Sequence, residues 1–413
     1  MVRVSGPAAG AALVALAGKL PPPRRAVLRS LRAADDGVLD RALILWLPGP
    51  GSATGEDMAE LHLHGGRAVV AAVLAELTKV DGLRPAQTGE FTRRALDHGR
   101  IDLAEAEGLA DLLTAETESQ RRQAMLAAGG HVSAQMAAWQ ARLLHLSAQV
   151  EAALDFADEG DVAAEDAVLA QIAYATADLH AEFQAWLARP AAERIRDGLS
   201  IVIAGPPNAG KSTLINALAQ REAAIVSPLA GTTRDIVEVP LALDGIAMRF
   251  ADTAGLRDAG GDAIEAIGID RAAAAVAAAD ILLWLGTAAD CPAHPRAIRV
   301  SAQSDRRAVD PAADLSLSAQ TGAGMAELHA AIVARARGLL PVEGEAALHA
   351  RQRAALSEAA EWLDVANDSA EARDAVLLGE RLRLARGALD RITGRSGVED
   401  MLDALFGRFC IGK

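Results

Sequence analysis

The sequence predicts an α/β plus α fold class, and three observations lead there. A buried, strand-like run, Leu199–Ala204, passes through a glycine-bearing turn into a helix-like run, Thr213–Ala219. Apolar residues recur at helical spacing from about Ile101 to Leu187, through Leu109, Leu112, Leu113, Leu143, Leu144, Leu146, Val150 and Leu154. A second helical stretch begins at Ala347-Leu-His-Ala350. Residues 1–97 mix strand and helix patterns. A chain of 413 residues has room for about two to four domains.

In chain order, Val2–Gly6 reads as a strand and turn, and Ala42–Leu47 as a strand. His62 and His64 fall on one face of a strand-like run, which suggests either a metal pair or a pocket lining. With no Cys or third ligand nearby, pocket lining is the better reading. Ala68–Thr78 reads as a helix. Arg93, Arg94 and Arg100 form either a local basic patch or ordinary surface charge. Gly129-Gly130 divides the following helical region.

Composition narrows the function classes. A net charge of −14 argues against a general nucleic-acid binder, whose affinity comes from neutralising phosphates. Two cysteines give no disulfide framework and fit a reducing compartment. No apolar run reaches membrane-span length, and there is no basic, hydrophobic, cleavable leader, so a cytoplasmic protein is expected.

The chemistry begins at Gly205-Pro-Pro-Asn-Ala-Gly-Lys-Ser-Thr213, which fits the phosphate-binding pattern G-x-x-x-x-G-K-[ST]. Its position on a strand-to-helix turn lets backbone N–H groups and a helix N-terminus face phosphate oxygens. Lys211 can reach the β- and γ-phosphates, and Ser212 can hold Mg²⁺. Gly231-Thr-Thr-Arg-Asp235 follows as a switch-like loop, then Asp252-Thr-Ala-Gly255 at the end of the strand Ile246–Ala251. The order is that of a GTPase. The base-reading pattern Asn-Lys-x-Asp is incomplete. After the strand-like run Ala297–Val300 stand Ala302, Gln303, Ser304 and Asp305, so only the bidentate acceptor remains. Guanine preference is then either weakened or supported by other residues. Ser318-Ala319, after Leu315–Leu317, fits the last base-contacting loop. Asn208, between the P-loop glycines, is either a turn residue or a ligand for a monovalent cation.

Matches in separated regions extend the reading. Thr54-Gly-Glu-Asp57, Glu60-Leu-His-Leu-His-Gly-Gly66, Gly89-Glu-Phe-Thr92, Arg100–Glu107, Arg221–Asp235 and above all Cys410-Ile-Gly-Lys413 resemble the tRNA modification GTPase family MnmE (TrmE). The resemblance implies a P-loop GTPase domain inserted in a helical bundle, with an N-terminal α+β folate-binding-like domain. The domains would be residues 1–97, 98–197 and 339–413 for the two helical parts, and 198–338 for the GTPase. It also implies a first strand ahead of Val2, without which the sheet keeps an open edge.

The implied activity is K⁺-activated GTP hydrolysis with Mg²⁺ in a homodimer. With the FAD-containing flavoprotein MnmG, in a heterotetramer, the family adds a carboxymethylaminomethyl or aminomethyl group to C5 of the wobble uridine of certain tRNAs. A tetrahydrofolate derivative donates the one-carbon unit. The nucleotide-contacting positions carried over are Asn208, Ala209, Gly210, Lys211, Ser212, Thr213, Ser227, Pro228, Leu229, Ala230, Gly231, Thr232, Thr233, Asp252, Thr253, Ala254, Gly255, Asp305, Ser318 and Ala319. Ser212 and Thr233 match the Mg²⁺ ligands, and Asn208, Ser227, Leu229 and Thr232 match the potassium site. Lys211 and Glu265 take the catalytic roles, Glu265 orienting water. Arg3, Glu60, Arg100 and Lys413 fall at folate-binding positions, Arg100 where Lys is common. Cys410 is either chemically active or a small buried thiol. The alternative function is a regulatory or ribosome-assembly GTPase switch without tRNA chemistry.

Overall fold

The computed structural model describes residues 1–156, 162–221, 223–224, 238–252, 272–364, 374–395, 405–406 and 409. They form two compact units: Met1–Leu113, Ser133–Ala137 and Leu389–Lys413 in one, Thr114–Val132 and Ala138–Ala388 in the other.

The first unit opens with β1 (Val2–Ser5), α1 (Ala9–Ala17), β2 (Val27–Arg32), β3 (Val38–Leu47), β4 (Met58–His62), α2 (Arg67–Leu77), α3 (Glu90–Asp97) and α4 (Leu103–Thr114). The strands make an antiparallel sheet in the order β1-β4-β3-β2, with α1 and α2 against it. Alternation decides the faces: Ala42, Ile44 and Trp46 of β3 are buried, while Arg41 and Leu43 are exposed. The buried set joins Leu13, Leu16, Leu31, Leu61 and Val73 in one core. The strand and helix expected at Ala42–Leu47 and Ala68–Thr78 are present, and β1 is an edge strand of this sheet.

His62 and His64 correct the one-face expectation. β4 ends at His62, so His64 lies beyond the strand. His62 Nε2 is 3.2 Å from Glu60, and His64 Nδ1 is 2.7 Å from Asp40. The two rings serve different carboxylates.

The C-terminal residues dock in this unit. Phe406 and Phe409 are buried with Leu103. Gly89 makes room for them: its φ is +70°, and a Cβ there would lie 2.5 Å from the Phe406 carbonyl oxygen.

The second unit continues with α5 (Glu118–Ala128), α6 (His131–Phe156), α7 (Val162–Leu187), α8 (Glu193–Arg196), β5 (Leu199–Ala204), α9 (Lys211–Arg221), β6 (Ala223–Ala224), β7 (Glu238–Leu243), β8 (Ile246–Asp252), a helical run α10 over 272–278, β9 (Ile281–Trp284), β10 (Ala297–Ala302), β11 (Leu315–Leu317), α11 (Met325–Arg337), α12 (Ala350–Leu363) and α13 (Ala375–Thr393). Gly129-Gly130 separates α5 from α6 as the sequence suggests, and α5 starts on a Thr117–Gln120 capping box.

The seven strands run β11-β10-β9-β5-β8-β7-β6. β11 through β8 are parallel, and β7 and β6 are antiparallel to their neighbours. β5 is apolar except for Ser200 because both its faces are covered. Ile201 and Ile203 pack with Leu214, Met248, Leu283 and Leu328, while Val202 and Ala204 pack with Ala251, Ala279 and Leu282. Each fully buried Leu or Ile in this layer contributes about 1.5–3 kcal/mol.

Helices before and after this sheet pack together, α7 against α12, so the GTPase-like domain sits as an insert in a helical bundle. Trp139 anchors the bundle: its ring lies 4.5 Å from Phe183 and 5.4 Å from Trp186, and its Nε1 donates to Glu182 at 2.9 Å. Where the chain leaves and re-enters the bundle, Ala192 N donates to Leu348 O at 3.0 Å and Ala350 N to Glu193 at 2.7 Å. The capping bonds from His349 and Ala350 hold the Glu193 carboxyl down at about 2, against a burial that raises it. The helix side also grips the sheet: Ser119 Oγ of α5 donates to the Gly245 carbonyl in the β7–β8 turn at 2.7 Å.

Candidate nucleotide site

The site is built at the C-terminal ends of parallel strands, where open α/β sheets bind ligands. β5 and β8 run side by side with Ile203 opposite Asp252. The turn after β5 therefore meets the last residue of β8. Ser212 Oγ donates to Asp252 Oδ2 at 2.7 Å. An all-oxygen pair of this kind suits a hard cation such as Mg²⁺.

Lys211 is buried at 7 % exposure, and its Nζ donates to the carbonyls of Gly205 and Pro206 at 3.1 and 3.0 Å. The ammonium is thus held across the mouth of the loop, where phosphate oxygens would compete for it. Gly210 has φ +93°, a conformation that L side chains rarely adopt. α9 then starts at Lys211, so its first N–H groups face the same cradle.

Asn208 is left-handed at φ +60°, which Asn tolerates better than most residues. Its carbonyl oxygen accepts from Gln303 Nε2 at 3.2 Å and from Arg307 Nη2 at 3.4 Å. Neither contact follows from the motif. Gln303 stood out in the sequence only as a departure from pattern, and Arg307 gave no signal.

The residues expected to read the base come from neighbouring strand ends. β10 and β11 are parallel with Ala302 opposite Leu317. Ser304 N donates to Leu317 O at 3.0 Å, which brings the Asp305 and Ser318 loops together. The Ser318 hydroxyl bonds to Asp305 and holds its carboxyl below the usual carboxylate range. Ser318 itself is only 1 % exposed, and its backbone and side chain also hold Thr321, Gly322 and Ala323. The carboxylate expected to accept from guanine therefore keeps an oriented partner although Ala302 and Gln303 stand where the pattern has Asn and Lys.

Structure thus brings together Asn208, Ala209, Gly210, Lys211, Ser212 and Thr213 with Asp252, and separately Asp305 with Ser318 and Ala319. Ser227, Pro228, Leu229, Ala230, Gly231, Thr232, Thr233, Thr253, Ala254, Gly255 and Glu265 lie outside the described residues, as do Cys410 and Lys413.

In the first unit, Arg3 and Glu60 are direct partners across β1 and β4. The Arg3 guanidinium lies 4.9 Å from the centroid of the Phe91 ring. A cavity of about 200 Å³ beside them is lined by Arg3, Leu77, Arg84, Glu90, Phe91 and Arg94, among others. The Arg84 fork, at 2.7 and 2.9 Å, holds the Glu90 carboxyl down at about 2. Arg94 is an internal brace, donating to Glu56 at 2.8 Å, Glu90 at 2.9 Å and Ser5 O at 3.2 Å. Arg100 follows α3, with its stem against the Gly55 loop.

Comparison with known proteins shows the family. The model of the MnmE helical domain matches residues 103–410, and that of the GTP-binding protein TrmE N-terminus matches residues 1–100. The tRNA modification GTPase MnmE of Sphingopyxis alaskensis is 66% identical over 419 residues, covering 100% of both chains. That of Rhizorhabdus wittichii is 61% identical over 417 residues, covering 100% of this chain and 93% of its own. Among solved structures, the G domain of the T. maritima FeoB iron transporter is similar at 21% identity, covering 33% of this chain and 98% of that one, with a TM-score of 0.24. That score is too low to transfer structural detail. The chain belongs to the MnmE (TrmE) family of tRNA modification GTPases.

Proposed function

We propose that this chain is a K⁺-activated, Mg²⁺-dependent GTPase of tRNA modification that works as a homodimer in the cytoplasm. With the FAD-containing protein MnmG, it takes part in adding a carboxymethylaminomethyl or aminomethyl group to C5 of a wobble uridine. A tetrahydrofolate derivative supplies the one-carbon unit. The observation that carries the reading is the joined phosphate site: Lys211 at the loop mouth and Ser212 on Asp252 at 2.7 Å.

In this reading water attacks the γ-phosphorus and the bond to the β–γ bridging oxygen breaks, giving GDP and phosphate. Lys211 stabilises charge on the phosphate oxygens. Ser212 and Thr233 would hold Mg²⁺, which neutralises charge between the β- and γ-phosphates. Glu265 orients the water. Asn208, Ser227, Leu229 and Thr232 would hold K⁺. Thr253, Ala254 and Gly255 contact the γ-phosphate side, and Asp305, Ser318 and Ala319 read the base. Arg3, Glu60, Arg100 and Lys413 would hold the folate; the register pairing of Arg3 with Glu60 supports their acting together. The same reading divides the chain into domains at 1–97, 98–197, 198–338 and 339–413.

The test is steady-state GTP hydrolysis of the full chain in KCl against NaCl at equal ionic strength. A large potassium-specific gain is expected. Equal, slow rates in both salts would overturn the potassium site and favour a plain switch GTPase.

A further inference from the structure

The residue after Asp305 is an arginine, and its side chain turns back on the carboxylate. Arg306 Nε lies 3.4 Å from Asp305 Oδ2, and Arg306 Nη2 donates to Gln320 Oε1 at 2.8 Å. Gln320 stands two residues beyond Ser318, so the guanidinium spans both loops expected to read the base. Nε and Nη2 lie on the same side of the planar guanidinium and present paired N–H groups there. Guanine presents the same pattern, N1–H and N2–H on either side of C2. Two donors of one shape thus address one acceptor. The charge of Arg306 also reaches that acceptor, since it adds to the Ser318 hydroxyl, the larger cause, in holding the Asp305 carboxyl below its usual range. The two partners differ in freedom. The Asp305 side chain is 23% exposed and that of Arg306 67%, so the carboxylate is set in the wall while the guanidinium can swing into solvent.

We propose that Arg306 is an internal mimic of the guanine edge that competes with the base for Asp305 and so lowers the affinity for guanine nucleotides. The proposal rests on the reading of Asp305 as the guanine acceptor. A base that takes Asp305 must first displace the guanidinium, and the fraction of molecules in which Arg306 has swung away sets the apparent affinity. Gln320 holds the competitor in place by its second N–H group. The choice of guanine stays with Asp305 and Ser318; Arg306 sets how tightly that choice is held.

The test is calorimetric binding of GDP and of xanthosine diphosphate to the full chain and its variants. Arg306→Ala is expected to bind GDP about two- to fivefold more tightly, the worth of one exposed ion pair. Asp305→Asn supplies the control. Its amide can donate to the C2 carbonyl of xanthine, so it should lose GDP affinity and gain affinity for xanthosine diphosphate. In that variant no carboxylate faces Arg306, and adding Arg306→Ala should leave xanthosine diphosphate binding unchanged. GDP binding that is unchanged or weaker in Arg306→Ala overturns the competition. An equal gain for xanthosine diphosphate in the double variant also overturns it, because Arg306 would then act somewhere other than on the carboxylate. If Asp305→Asn keeps the parent preference for GDP, the reading of Asp305 as base acceptor falls, and the competition falls with it.

Discussion

The phosphate half and the base half of the nucleotide site are built in different ways. Around the phosphates, among the described residues, one continuous stretch from Gly205 to Thr213 meets Asp252 at the end of β8, and backbone carbonyls of the loop hold Lys211. Around the base, residues from two strand ends must meet, and the contacts are made by side chains: Asp305 with Ser318, and Gln303 with the Asn208 backbone carbonyl. Backbone cradles tolerate few changes, because glycine torsions and a helix N-terminus have no substitutes. Side-chain support can be rebuilt from other residues. That is why the first half keeps its motif while the second departs from it.

The comparison can be broken most severely at Lys211. Lys211→Ala removes charge stabilisation and should lower turnover about a hundredfold or more in a steady-state phosphate-release assay. Undiminished hydrolysis would remove the P-loop assignment. Glu265→Ala comes next: single-turnover hydrolysis should slow about a hundredfold while GTP affinity holds, since a water-orienting group acts in the transition state. An equal loss of affinity would make Glu265 structural.

Ser318→Ala should have the smallest effect and speaks to the base half. GTP affinity by calorimetry should fall about three- to tenfold, the worth of one ordinary hydrogen bond, because Ser318 acts on the base only through Asp305. It should also move the acid limb of binding. The Ser318 hydroxyl holds the Asp305 carboxyl below its usual range, so guanine binding through that carboxylate would persist as pH falls. Without it the carboxyl protonates at higher pH, and binding should be lost earlier on acidification. An unshifted acid limb would mean that another group orients Asp305.

Much of the inserted domain was legible because motif and strand pattern agree. Leu199–Ala204, Ile246–Ala251 and Leu315–Leu317 are all strands, and each ends at a site residue or one before it. The N-terminal sheet was less so. β2 alternates in burial while its sequence, Val27-Leu-Arg-Ser-Leu-Arg32, does not alternate apolar with polar, and β4 stops at His62, which the apolar-polar rhythm through His64 hides. The pairing of Arg3 with Glu60 depends on strand register, a long-range property. The Gln303 contact was illegible for another reason: its acceptor is a backbone carbonyl, which every residue carries. The same holds for Ser119, whose hydroxyl reaches the Gly245 carbonyl 126 residues away.

The tie between Ala192 and Leu348 has a consequence for modularity. The chain leaves the helices and comes back within one backbone hydrogen bond of 3.0 Å. A domain whose two ends lie side by side can be gained or lost without stretching its host. A short turn joining those two positions would let the helices close on themselves. The helical scaffold and the nucleotide domain are therefore separable parts in an engineering sense, and either can be exchanged at that seam.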